Sequence, residues 1–206
     1  MSVAGPAPAP LYPVFLKLGG RRVLVVGAGP VAAQKYAAIR EAGAVVRVVA
    51  PEISEAFRAV GLDGAELRLR PFEPADLDGV YYVVAAAPPE VNRSVTDAAE
   101  ARCLFVNAVD DLASATAFAA ALMRRGEATI AFSTGGAAPA LAGLLREGLE
   151  ALVPDDLGAW VQEAKRQRPV WRQEGLPLDQ RRPRLLQALN ALYEARAAAA
   201  ADEDTP

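Results

Sequence analysis

The chain contains no histidine, which removes both the commonest general base of enzyme sites and the commonest transition-metal ligand. Any proton chemistry falls to Asp, Glu, Tyr, Lys or a single thiol. Cysteine occurs once, as Cys103, so an internal disulfide and a multi-cysteine metal site are both excluded. Its setting in Arg102-Cys103-Leu104-Phe105, where a strand is expected to begin, predicts plain burial rather than redox chemistry. Positive charge is not in excess. The 22 Lys and Arg residues against 25 Asp and Glu give a formal net charge of −3, without a basic footprint for nucleic acid. No apolar run approaches the ~20 residues needed to cross a bilayer. Met1 to Pro10 is rich in Ala and Pro and lacks the charged-then-apolar order of a signal peptide. A soluble, cytoplasmic chain with no resident metal is expected.

What is present is enough apolar material for a sizeable core: 52% of 206 residues are hydrophobic. Arg22 to Val26 (RVLVV) and Val45 to Val49 are continuous aliphatic runs, the mark of strands buried on both faces. Between them, Val31 to Ala42 holds good helix formers and Gly43 stands where a helix should stop. Together they make one βαβ unit. The alternation continues with a short strand at Ala65 to Arg70, a turn at Asp76 to Gly79 and a strand at Tyr81 to Ala86. A helix at Val91 to Ala101 and a strand at Leu104 to Asn107 follow. Such alternation predicts an α/β fold with a mostly parallel, doubly wound sheet. Beyond Asp111 the pattern changes. Ala115 to Arg125 fits a strand or a helix, Ala128 to Ser133 a strand, and Ala138 to Leu152 a helix ended by Pro154. Leu157 to Arg168 and Arg184 to Ala199 read as helices joined by a polar, Pro-containing connection at Gln173 to Pro183. The run Ala197 to Ala201, before Asp202-Glu203-Asp204, reads as a fraying helix end.

The turn Gly27-Ala28-Gly29-Pro30-Val31-Ala32 lies between the first strand and the first helix, the context in which a glycine pattern signals a dinucleotide site. Gly27 permits the tight turn, Gly29 lets the backbone approach a pyrophosphate, and Ala32 replaces a third glycine. Pro30 suits a first helical turn because it has no N–H to lose. The anion would rest on the helix N-terminus. The ribose-binding acid expected further on is displaced to Glu52, behind Pro51, which would bind the adenosine ribose or cap the next helix. Arg47 could meet a 2′-phosphate but, mid-strand, reads as structural. NAD is favoured over NADP.

Two further segments carry chemistry. Asn107-Ala108-Val109-Asp110-Asp111 ends a parallel strand, where ligand crevices of open sheets lie. A carboxylate there, partly desolvated by the apolar run around it, could act as a general base; the alternative is an Asx-capped turn. Ser133-Thr134-Gly135-Gly136, ahead of Ala137-Ala138-Pro139, offers small residues and free N–H groups for an anion, or simply an N-capped helix with a glycine hinge. Arg124, Arg125 and Arg146 stand nearby in sequence, to meet carboxylates or to form solvated faces.

In this order the segments resemble the siroheme synthase N-terminal family, precorrin-2 dehydrogenases of which some are also sirohydrochlorin ferrochelatases. The likeness runs from Leu11-Tyr12-Pro13-Val14-Phe15-Leu16 through the glycine turn, Lys35, Ala42-Gly43-Ala44 and Ala50-Pro51-Glu52. It then takes in Val106 to Asp111, Ser133 to Gly136 with Pro139, and Leu144-Leu145-Arg146-Glu147, ending near Gly158. The resemblance implies oxidation of precorrin-2 to sirohydrochlorin by NAD, with Asp110 in proton removal. It implies NAD contacts at Pro30, Val31, Pro51 and Glu52, and tetrapyrrole carboxylates at the Ser133 to Gly136 loop. Fe²⁺ as a further substrate and a homodimer with exchanged segments also follow from it. The expected division is a Rossmann-type NAD domain at 1–112, a small α/β dimerisation and substrate segment at 113–152, and a helical C-terminal module at 153–206. One departure stands out: relatives carry Thr then Asp or Asn after the fourth strand, and this chain has Ala87-Pro88-Pro89. The alternative function is a non-catalytic, regulatory NAD-binding module.

Overall fold

The structure, a computed structural model, describes the backbone of residues 10–203 and side chains up to residue 194. The Ala- and Pro-rich residues 1–9, and Asp204, therefore lie outside the described residues. The chain divides between Ala119 and Ala120 into two units.

The first unit is built on five parallel strands in the order β3-β2-β1-β4-β5. These are β1 (Arg22–Val26), β2 (Val45–Val49), β3 (Glu66–Arg68), β4 (Tyr82–Ala85) and β5 (Val106–Ala108). The crossovers contain α1 (Pro30–Glu41), α2 (Glu55–Ala59) and α3 (Pro89–Glu100), with a 3-10 turn at Pro74–Leu77. Because side chains alternate across a strand, β1 serves two cores. Val23 and Val25 pack with Ala32, Tyr36 and Ile39 of α1 and Phe57 of α2. Leu24 and Val26 pack on the other face with Val95 and Ala99 of α3 and with Leu77 and Val80. Each such burial stabilises the fold by about 2 kcal/mol relative to exposure. The RVLVV pattern is thus unbroken because both faces of the strand are covered. Tyr36 and Phe57 are fully buried, with ring centroids 5.0 Å apart.

The outer edges are finished by polar groups. Beyond β5, Thr116 and Ala117 donate N–H groups to the Val106 carbonyl, and Thr116 Oγ1 accepts from Val106 N–H at 2.8 Å. Residues between Asp111 and Ala121 are therefore an irregular strip along the sheet edge, and only β6 (Ala121–Arg125) of the expected Ala115 to Arg125 segment is a regular element. At the opposite edge Arg47, on β2, is buried and bonded to Glu66 Oε2 at 3.0 Å and to the Asp76 carbonyl at 2.7 Å. The Asp76 carboxylate has no exposed surface and is gripped by both Nη atoms of Arg70, by Arg68 and by the Glu73 N–H. Burial pushes its pKa up, but the hydrogen bonds from Arg70, Glu73 and Arg68 outweigh that and hold it at about 2.

Cys103 corrects the expectation of burial. It is exposed, at φ 57°, in the turn that follows α3, because β5 begins only at Val106.

The second unit consists of an antiparallel hairpin, β6 with β7 (Ala128–Phe132), and three helices. Helix α4 (Pro139–Leu152) packs on the hairpin, and α5 (Leu157–Gln173) pairs with α6 (Leu178–Glu203). Gly126, at φ +56°, opens the hairpin turn, and a Cβ there would lie 2.8 Å from the Gly158 Cα. Two glycines let the turn rest on the start of α5. The proline-containing connection is shorter than expected. Both helices run through their prolines, Pro169 and Pro183, leaving only residues 174–177 between them. A proline removes one helical N–H bond, and around Pro169 buried Trp171 and the Glu163 bonds to Arg166 and Gln167 hold α5 together. The backbone of α6 carries Ala197 to Ala201 within the helix. Among the described residues no helix is long and apolar enough to cross a membrane.

Because the folded pKa of Asp76 lies below its ordinary value, its contribution is present above about pH 4 and is lost as the pH falls through about 2. Asp76→Asn is expected to cost about 2 kcal/mol at neutral pH in chemical denaturation, and the difference from the parent chain should vanish toward pH 2. A difference independent of pH would contradict this.

Candidate functional site

In a parallel sheet of this order, the crevice lies where the crossovers leave in opposite directions, between the C-terminal ends of β1 and β4. Both strands end level: Val26 pairs with Ala85, and Ala86 N–H donates to the Val26 carbonyl at 2.8 Å. Gly27 follows at φ +100°, with its N–H bonded to the Val49 carbonyl at 2.9 Å. A Cβ on Gly27 would lie 2.2 Å from the Ala86 carbonyl oxygen. The glycine is required twice, by its backbone angle and by the strand exit pressed against it. Gly29 is different. It has ordinary extended angles, and nothing lies within 4 Å of the place a side chain would occupy.

Gly29 is the N-cap of α1, Pro30 is its first residue, and no side chain caps the helix. The first amides of a twelve-residue helix are thus left beside an open space. Ala32 is fully buried against the sheet, which explains why a small residue stands there. Val31 is partly exposed beside the opening. These residues fit a dinucleotide's pyrophosphate. Pro51 and Glu52 are exposed just past the end of β2. Glu52 is not a helix cap, because Ser54 fills that role by accepting the Phe57 N–H. Arg47 is occupied by Glu66 and backbone carbonyls.

The β4 exit, Ala87-Pro88-Pro89, leads into α3 with Pro88 as N-cap. Asn92, 2% exposed on the sheet-facing side of α3, reaches back from its first turn. Its Oδ1 accepts the Ala87 N–H at 3.0 Å, and its Nδ2 donates to the Val109 carbonyl at 3.4 Å. Sequence reasoning passed over Asn92. The available signal was a polar residue in register with Val95, Thr96 and Ala99, at the spacing of a buried helix face.

After β5, Val109 N–H donates to the Ala85 carbonyl at 2.8 Å, and Asp110 takes φ 58°, a left-handed conformation uncommon outside glycine. The two readings of Asn107 to Asp111 fall on different residues. Asp111 Oδ1 accepts the Ser114 N–H, and hydrogen bonding from Ser114 holds this carboxylate below its ordinary range. Asp111 is the turn cap. The Asp110 carboxylate has no hydrogen-bond partner among the described residues. It is exposed, which corrects the expected desolvation: the sheet ends at Ala108, and the left-handed turn carries Asp110 away from the apolar strand. Asn107 is structural, donating to the Ala117 carbonyl.

In the second unit, Ser133 to Gly136 connects β7 to α4, with Gly135 and Gly136 both in the left-handed region. Ser133 Oγ accepts the Gly135 N–H, Thr134 Oγ1 accepts that of Ala138, and the Thr134 carbonyl accepts that of Ala137. Several amides expected to be free are therefore engaged within the loop, leaving that of Gly136 and the first turn of α4. Arg146 pairs with Glu147 and Glu150, and Arg125 lies 3.1 Å from the Asp155 carboxylate. Asp110 belongs to the first unit and this loop to the second.

The contrast between the two glycines is testable. Gly29→Ala should fold as stably as the parent yet bind NADH at least tenfold more weakly, since its methyl enters the space left for the ligand. Gly27→Ala should lower the melting temperature by several degrees, as expected for a loss of more than about 1 kcal/mol. Equal behaviour of the two variants in thermal melts would contradict this geometry.

Comparison with known proteins agrees with the fold. Residues 14–121 match a family described as NAD(P)-binding. A siroheme synthase of Pseudomonas fluorescens (strain SBW25) is 44% identical over 148 residues, 71% of this chain and 32% of the relative. A siroheme synthase of Photorhabdus laumondii subsp. laumondii is 38% identical over 183 residues, 88% of this chain and 39% of the relative. The chain thus spans roughly a third of the length of these curated relatives. Among solved structures, SirC, a precorrin-2 dehydrogenase, is similar with a TM-score of 0.67 and 26% identity, over 86% of this chain and 88% of that one. With more than half of its residues inside the matched NAD(P)-binding region, and with these relatives, the chain belongs to the siroheme synthase N-terminal family.

Proposed function

We propose that this chain oxidises precorrin-2 to sirohydrochlorin with NAD⁺, giving NADH and a proton. The observation that carries the reading is that Asp110, whose carboxylate has no hydrogen-bond partner among the described residues, follows β5 at the same end of the sheet as the open glycine turn. The likeness to a precorrin-2 dehydrogenase over 86% of this chain supports it. Gly27, Gly29, Pro30 and Val31 would hold the pyrophosphate, and Pro51 with Glu52 the adenosine ribose, Glu52 accepting from a ribose hydroxyl. The absence of an available Arg47 favours NAD over its 2′-phosphate. NAD⁺, when bound, supplies hydride acceptance. The remaining task is removal of a proton from the macrocycle, and Asp110 Oδ can accept it.

The carboxylates of the tetrapyrrole would be met by Ser133, Thr134, Gly135 and Gly136, through the amide of Gly136 and the start of α4. A second copy of the chain is the partner proposed for α4, whose Leu141, Leu144, Leu145 and Leu152 are exposed at helical spacing. The hairpin with α4 would then be the dimerisation segment. A cytoplasmic location suits this chemistry. The family resemblance extends the reading to Fe²⁺ insertion, with iron as a substrate and the macrocycle supplying four nitrogens; uptake of Fe²⁺ or Co²⁺ by sirohydrochlorin tests that step separately.

Asp110→Asn should reduce NADH formation from precorrin-2 by ~10²-fold or more while leaving the Kd for NAD within about twofold. Wild-type turnover in that variant would remove Asp110 from the reaction. For the assembly, Leu144→Glu should shift the chain from dimer to monomer in sedimentation velocity; an unchanged dimer would exclude this face of α4.

A further inference from the structure

We propose that Asn92 is a positioning residue that ties the cofactor crevice to the Asp110 turn, a role that rests on the dehydrogenase reading above. The side chain stands between two strand exits. Pro88 and Pro89 have no N–H, so Ala87 has the only backbone donor in the β4 exit, and Asn92 Oδ1 takes it. The other end of the amide donates to the carbonyl of Val109, the peptide that leads directly into Asp110. The amide offers an acceptor and a donor at once, on two separate atoms and at every pH. A carboxylate lacks the donor, and an aliphatic isostere lacks both.

The linkage runs further than the two bonds. The Ala86–Ala87 peptide that Asn92 holds is the one pressed against Gly27, whose hypothetical Cβ would lie 3.1 Å from Ala87 N. One continuous path therefore joins the glycine turn, the β4 exit, Asn92, Val109 and Asp110. The last residue sits at φ 58°. An aspartate reaches the left-handed region more easily than most residues, and bonds to the flanking peptides keep it there. On the α3 side of the Val109–Asp110 turn that bond comes from the Asn92 donor, and on the sheet side it is the Val109 N–H bond to Ala85. Asn92 thereby fixes where the carboxylate stands relative to the dinucleotide without touching substrate.

Asn92→Asp separates the two ends, keeping the acceptor for Ala87 and removing the donor to Val109; Asn92→Leu removes both. In the full chain, Asn92→Asp should hold the Kd for NAD within about twofold and lower kcat for precorrin-2 oxidation by ~10- to 100-fold, with a smaller change in KM. The deficit relative to wild type should shrink at lower pH, where the introduced carboxyl is protonated and can donate again. Amide hydrogen exchange, read without turnover, should accelerate at residues 109–111 and stay unchanged through β1 and β2. Asn92→Leu should also weaken NAD binding. Wild-type kcat in Asn92→Asp, or a uniform rise of exchange across the sheet, would overturn the positioning role. If the parent chain forms no NADH, the dehydrogenase reading fails and takes this one with it. If the parent is active and Asn92→Asp equally so, only the role of Asn92 is lost.

Discussion

The contact between Gly27 and the Ala86 carbonyl is the constraint on which the rest of the first unit depends. Two strand exits meet backbone to backbone, with no room for a single methyl between them. That proximity is possible because β1 and β4 are neighbours in parallel register and end at the same level. It brings the start of α1 and the start of α3 to one crevice. The cofactor end of the proposed site uses this closure, from the open space at Gly29 to the path through Asn92.

The closure is held from behind by two different kinds of force. The central strands are clamped by apolar packing on both faces, while the β2–β3 edge is held by a buried carboxylate ringed with arginines. Arg47 belongs to the second system. Its burial accounts for an arginine within a strand that otherwise reads as aliphatic, and leaves the exposed acid Glu52 as the residue proposed for the ribose. The sheet edge at β5 is closed by the strip around Thr116, so the carboxylate that follows β5 leaves from a finished edge rather than a loose one.

The strands were legible because double burial leaves an uninterrupted aliphatic signature, as in RVLVV. The glycine turn was legible because its residue types are dictated locally, by a backbone angle and a close approach. Features set by tertiary contact were not. Pro169 and Pro183 mark breaks on local grounds, yet packing carries both helices through them. Cys103 resembled the start of a strand because apolar residues follow it, but the strand starts later and the thiol stays in the turn. By residue chemistry alone Asp110 and Asp111 are interchangeable, and only the family resemblance singles out Asp110. Only the hydrogen bond from Ser114 separates the structural acid from the free one, and that bond depends on a turn no spacing rule describes. Asn92 was hidden for the same reason, since its two partners lie on different strand exits.

The central claim is a balanced two-electron oxidation: one hydride to the cofactor, one proton to the protein and then to solvent. The most direct measurement is the stoichiometry of an anaerobic reaction of the full chain with precorrin-2 and NAD⁺, the tetrapyrrole followed by mass and the cofactor by absorbance. The account predicts one NADH for each sirohydrochlorin formed, two hydrogens lighter than its precursor. Sirohydrochlorin appearing without NADH, or no product despite bound NAD⁺, would contradict it.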